Sequence, residues 1–182
     1  MCATDDCLTV CGKACRIVRL LGRGKGGYSY LTECDGCQVV VKQIHHEPCG
    51  YYTFGNKIEA ERRDYLRLRD AGIRIPAMLA LDMDAERVMK EYIEGGTVFD
   101  YVRDGICVEP YLPQVREMAA LAKAHGLNID YFPKNFVVRA GLIWYVDYEC
   151  NDYMEEWSFD NWGVKYWPRT AEFEECLKRN QE

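Results

Sequence analysis

The stretch Leu21-Gly22-Arg23-Gly24-Lys25-Gly26-Gly27-Tyr28-Ser29-Tyr30-Leu31 decides how the first half of this chain is read. Gly22, Gly24 and Gly27 stand in G-x-G-x-x-G spacing, with strand-forming runs on either side: Ile17 to Leu21 before and Tyr28 to Thr32 after. A dinucleotide-binding fingerprint requires a helix directly after the glycines. Strand residues follow instead, so the segment predicts a strand–turn–strand flap whose backbone N–H groups can approach phosphates. A glycine-rich hairpin that is only a turn has the same pattern, so the motif needs company.

Outward from the flap, Asp35-Gly36 predicts a two-residue hairpin turn into a strand from Gln38 to Ile44. Lys42 lies inside the otherwise apolar run Val39-Val40-Val41-Lys42-Gln43-Ile44. A lysine there can be an exposed edge residue. The next segment, 57 to 70, reads as a helix on which Ile58, Glu61, Tyr65 and Leu68 share one face. Glu61 thus falls on the apolar stripe, where an unpaired carboxylate is costly. A buried lysine partner resolves both anomalies; Glu59, nearer the opposite side, is the weaker candidate. Extended stretches follow from Pro76 and over Arg87 to Ile93, and Gly95-Gly96 predicts a break where a linker between lobes fits.

The second half opens with a helix from about Pro113 to His125, with Gly126 just past its end. Strands Phe136 to Arg139 and Leu142 to Val146 are joined by Ala140-Gly141. If Arg139 and Leu142 flank that turn, Phe136 pairs with Tyr145 and Asn135 faces Val146. Asp147 then lies beside Asn135, and two oxygen donors at the open end of a hairpin make a Mg²⁺ site. Asp130, five residues before Asn135, approaches the same point as a base or a nucleophile-orienting group. Taken singly, Asn and Asp merely terminate strands, as they commonly do. The ordered set of glycine hairpin, strand lysine, helix glutamate, Asp-x-x-x-x-Asn and strand-terminal Asp matches the phosphoryl-transfer template. Trp157, Trp162, Tyr166 and Trp167 are expected as core rings of a short helical lobe.

Composition bounds the rest. In 182 residues, 48% hydrophobic and 13% aromatic content describe a folded chain with enough apolar surface for a core. A net charge of −6 gives no electrostatic footprint for nucleic acid. No apolar run approaches a membrane span, and Met1 to Asp6 lacks the basic start and apolar stretch of a signal peptide, so a cytoplasmic protein is expected. Ten cysteines include the spaced Cys7, Cys11 and Cys15 and a lone Cys34-Asp35-Gly36-Cys37. A structural zinc site usually needs two such pairs or a pair with histidines, so reduced thiols are expected.

Together, L-G-R-G-K-G-G-Y-S-Y-L, V-V-V-K, E-Y-I-E-G-G, I-D-Y-F-P-K-N-F-V-V and Y-V-D-Y-E resemble the protein-kinase superfamily. With A-G-I-R-I-P and I-E-G-G-T-V-F-D-Y-V, the chain looks closest to small atypical RIO-like and KEOPS-complex-type kinases. Its V-D-Y-E ending is similar to aminoglycoside-phosphotransferase-like enzymes. The resemblance spans roughly residues 17 to 150. It implies an α+β, two-lobed fold over 1–182, with a β-rich N-lobe (about 16–94, five strands and one helix) and a reduced, mainly helical C-lobe (about 97–182). It further implies ATP and Mg²⁺ as cofactors and a protein or small-molecule hydroxyl as acceptor. Gly22, Gly24 and Gly27 would cover the phosphates, and Lys42 would hold them while paired to Glu61. Glu91 and Ile93 would offer hinge backbone groups to adenine. Asp130 would be the catalytic base, and Asn135 and Asp147 the metal ligands.

The pattern also departs from the family. Asn128 stands where a histidine is usual, Phe132 where protein kinases often carry a lysine, and Lys90 near the gate of the adenine pocket. Asp147-Tyr148-Glu149 has no glycine, and only residues 148–182 follow Asp147, short for a peptide-binding lobe. The expected activity is a serine/threonine protein-kinase-like phosphotransferase. A small-molecule kinase and an ATP-binding pseudokinase scaffold are the alternatives.

Overall fold

The computed structural model describes residues 7–47 and 55–179. The stretch 1–6, weighed above as a signal peptide, lies outside them. The described residues form a mixed α+β fold with a curled antiparallel sheet and four α-helices, and none of those helices is long and apolar enough to cross a membrane. The chain divides into two units, residues 1–63 with 76–92, and residues 64–75 with 93–182.

The first unit is built on a six-stranded sheet in the order β1-β2-β3-β4-β6-β5. Its strands are β1 (Cys7–Val10), β2 (Lys13–Arg23), β3 (Gly27–Cys34), β4 (Cys37–Ile44), β5 (Met78–Asp82) and β6 (Arg87–Glu91). Asp35-Gly36 turns β3 into β4 with φ of 51° and 77°, the left-handed pair that a two-residue hairpin demands. Cys11-Gly12 does the same between β1 and β2, with φ of 49° and 81°. That hairpin corrects the expected count of five strands. β1 is only Cys7-Leu8-Thr9-Val10, too short to show a period, and its turn carries Cys where Asn or Asp is the usual signal.

The sheet curls until its edges meet. The Cys11 N–H donates to the Asp82 carboxylate at 2.6 Å, and the Arg87 guanidinium donates to the Thr9 carbonyl at 2.7 Å. Val10, Cys15, Cys34, Val39, Val41 and Met89 fill the concave side. Helix α1 (Lys57–Asp70) begins in this unit and buries Ile58 and Leu68, as the helical period requires.

The second unit holds the end of α1, three further helices and short strands. Gly96–Thr97 is not an open linker: it forms strand β7, paired with β9 (Phe136–Arg139). A Cβ on Gly95 would stand 1.9 Å from the Val138 carbonyl oxygen, so only glycine allows that approach. Thr97 then caps helix α2 (Val98–Arg103) through a reciprocal box with Asp100. Helix α3 (Leu112–Ala124) stops at Gly126, whose φ is 69°. Strand β8 (Leu127–Ile129) pairs with β11 (Cys150–Asp152), and β9 with β10 (Leu142–Tyr145).

Helix α4 (Ala171–Arg179) closes the described chain. The aromatic segment before it is made of 3₁₀ turns rather than helices. Trp167 is fully buried, donates its indole N–H to the Tyr131 carbonyl at 2.8 Å, and meets Phe159 and Phe136 edge-on. Trp157 departs from the expected core, being 48% exposed with its ring against Trp162.

Candidate functional site

In the first unit, β4 carries Lys42 inward and α1 carries Glu61 to meet it. Their side chains form an ion pair and are only 11% and 12% exposed. Glu61 Oε1 takes the ammonium, while Oε2 is buried with no hydrogen-bond partner among the described residues. A buried carboxylate oxygen without a donor is costly, and a hydrophobic pair of similar volume would often be as stable. Packing alone therefore does not account for these two charges. Glu59 is exposed, as its place on the helix demands.

The glycine segment lies over the same lysine. β2 and β3 pair up to Arg23 and Tyr28, and a Cβ on Gly26 would lie 3.9 Å from Lys42 Nζ. Gly27 is required sterically, since a Cβ there would stand 2.4 Å from the Gln43 carbonyl oxygen. Gly22 faces open space, and a Cβ on Gly24 would make only an ordinary contact with the Gly27 carbonyl oxygen at 3.9 Å, so no packing demand explains either. Glu91 ends β6 with its amide donated to the Ala77 carbonyl at 2.9 Å, and Lys90 is buried beside it.

In the second unit the hairpin turns at Ala140-Gly141, and Phe136 lies opposite Tyr145. The Val146 N–H donates to the Asn135 carbonyl at 2.9 Å, which puts Asp147 next to Asn135. The Asn135 side-chain amide donates to the Asp130 carbonyl at 3.3 Å, so its Oδ1 is the atom that could take a cation. The Asp130 carboxylate accepts the Phe132 N–H at 3.0 Å, and the Asp147 carboxylate accepts the Tyr148 N–H at 2.8 Å. Each is thereby held in one orientation.

Tyr145 joins these segments. Its hydroxyl is wholly buried, accepts the Asp130 N–H at 3.2 Å and donates to the Glu149 carbonyl at 2.7 Å. Burial raises its pKa well above the ordinary phenol value, and the Asp147 and Asp130 carboxylates raise it further. The phenol stays protonated and keeps donating. Asn128 is buried and donates to the Met154 carbonyl at 3.0 Å, which ties β8 to the chain after β11. Ile93, the second hinge candidate, is buried in this unit.

Hard oxygen donors suit Mg²⁺, which keeps several waters and needs only one or two protein ligands beside phosphate oxygens. Asn135 and Asp147 fit that requirement. Among the described residues no group of three or more His, Cys, Asp or Glu is arranged to hold a metal. The eight described cysteines are free thiols. Cys34 and Cys37 flank the β3–β4 turn and, with Cys11 and Lys13, line a cavity of about 370 Å³ at the sheet end opposite the glycine segment.

No family model and no curated protein matches the chain.

The sequence pattern singled out Lys42, Glu61, Asp130, Asn135 and Asp147 but passed over three residues. Lys57 is one turn before Glu61 on the same helix face, a spacing that could have exposed it. Tyr145 lies two residues before Asp147, with its alternation pointing inward. Nothing in the pattern marks His45, which follows the end of β4.

Proposed function

We propose that this chain is an ATP- and Mg²⁺-dependent phosphotransferase with a two-lobed, protein-kinase-like fold, acting on serine or threonine hydroxyls of itself or of a docked partner. The observation that carries the proposal is the Lys42–Glu61 ion pair, buried directly beneath Gly26 of the glycine turn. In this reading Lys42 holds the phosphates as a point charge, and Glu61 fixes where that charge sits. Asp130 accepts the proton of the attacking hydroxyl, its carboxylate aimed by the Phe132 N–H. Asn135 and Asp147 would hold Mg²⁺, which would supply neutralisation of charge on the transferring phosphoryl group. Glu91 and Ile93 offer hinge backbone groups to adenine. The proposal places the protein in the cytoplasm, where ATP and free thiols coexist.

Thermal-shift titration tests the nucleotide half. Mg·ATP is expected to raise the Tm in proportion to the logarithm of its concentration once above Kd. No ATP-dependent rise in the wild type would refute nucleotide binding.

A further inference from the structure

The carbonyls of the glycine turn accept from protein donors. The Gly24 carbonyl accepts from His45 Nε2 at 3.0 Å, the Lys25 carbonyl from the Lys57 ammonium at 3.4 Å, and the Gly26 carbonyl from the His45 N–H at 3.4 Å. Across the turn, the Gly24 N–H donates to the Gly27 carbonyl at 2.9 Å. Lys57 is 6% exposed and also donates to the His45 carbonyl at 2.5 Å, so the ammonium bridges the turn to the end of β4. A carbonyl only accepts, so His45 carries its proton on Nε2, while its Nδ1 accepts the Glu47 N–H at 3.3 Å.

These contacts bear on what the turn can bind. Carbonyl oxygens are partially negative and repel phosphate, whereas amides and ammonium groups attract it. All three carbonyls at the tip are held on protein donors. The Lys42 ammonium lies under Gly26, and a second ammonium, Lys57, bonds the neighbouring carbonyl.

We infer that Lys57 and His45 are positioning residues that keep the carbonyls of the Gly24–Gly26 turn engaged on protein donors, so that the turn and Lys42 accept the triphosphate of a nucleotide. The inference rests on the nucleotide reading above. Neither residue touches the reacting atoms; both act through the turn.

The test measures affinity for Mg·ATP, inorganic tripolyphosphate and adenosine by calorimetry. Wild type, Lys57→Met, Lys57→Arg and His45→Phe are compared, the last keeping a ring to lie against Tyr28. Lys57→Met is expected to weaken Mg·ATP and tripolyphosphate about tenfold, the scale of one hydrogen bond from a charged donor. Adenosine affinity should not move, and Lys57→Arg should recover most of the loss. His45→Phe should show the same phosphate-selective loss, and it decides the matter should Lys57→Met fail to fold. Unchanged tripolyphosphate and ATP affinity in the variants overturns the inference alone, as does an equal loss for adenosine. A wild type that binds neither ATP nor tripolyphosphate overturns the nucleotide reading and the inference with it.

Discussion

The Tyr145 hydroxyl lies between the Asp130 N–H, 3.2 Å away, and the Glu149 carbonyl, 2.7 Å away, so one buried phenol links the segment of Asp130 to the segment that follows Asp147. Both carboxylates contribute to the raised pKa of that phenol. The geometry of the proposed chemistry therefore depends on a residue with no chemical step of its own.

Tyr145→Phe keeps the ring against Phe136, 5.3 Å away between centroids, and removes only the hydroxyl. The Asp130 N–H and the Glu149 carbonyl each lose a buried partner, at a cost of about 1–3 kcal/mol. Chemical denaturation is expected to show that loss, and kcat to fall about tenfold with ATP affinity kept. Wild-type stability and kcat together would mean the link carries nothing.

Lys42 and Glu61 offer a separation of fold from function. Removing one partner leaves the other charge buried, so Lys42→Met should destabilise by about 3–5 kcal/mol and lose Mg·ATP binding. The double variant Lys42→Met with Glu61→Leu should regain most of the stability and none of the nucleotide affinity. Denaturant titration and calorimetry on the same samples check both halves. Restored ATP binding in the double variant would contradict the role given to Lys42.

The thiols should divide by exposure. Cys15 is fully buried beside Cys34, and burial first, then the contact with Cys34, pushes its pKa up to about 12. The thiolate is the nucleophile, so at pH 8 Cys15 stays almost wholly the unreactive thiol even before access is considered. Iodoacetamide under native conditions is expected to label the exposed Cys37 and Cys107 and to spare Cys15, Cys34 and Cys150. Peptide mass spectrometry reads the pattern, and early labelling of Cys15 would show that the curled sheet opens.

Much of this arrangement is legible in the sequence because local rules fix it. The two-residue turn at Ala140-Gly141 sets the register of its hairpin by counting, and Phe136 does face Tyr145. Glu61 on an apolar helix face and Lys42 in an apolar strand each violate burial rules alone, and the pair satisfies them. What escaped is long-range or too short to carry a period. β1 is four residues, and the contacts that tie its hairpin to the far edge of the sheet, Cys11 with Asp82 and Thr9 with Arg87, span more than seventy positions. His45 and Lys57 bond backbone carbonyls, which any donor in the right place can do; the helical spacing to Glu61 marks Lys57, and no spacing marks His45. Trp157 reads as core by residue type, yet about half of it faces solvent on its 3₁₀ turn.

The central claim is phosphoryl transfer, and the most direct measurement follows the γ-phosphate. Purified wild type, Asp130→Asn and Asp147→Ala are incubated with γ-labelled ATP and Mg²⁺, alone and with cell extract. Label is then sought on protein, on small molecules and as free phosphate. Asn keeps the shape of Asp130 and cannot accept a proton, so Asp130→Asn should bind ATP while transfer falls about 10²–10⁴-fold. Asp147→Ala should lose Mg²⁺-dependent transfer altogether. Wild type is expected to place label on serine or threonine of itself or of a docked protein. Label only on a metabolite would move the assignment to small-molecule kinases. Bound ATP with no label transferred and no phosphate released, or equal transfer by wild type and Asp130→Asn, would contradict the account.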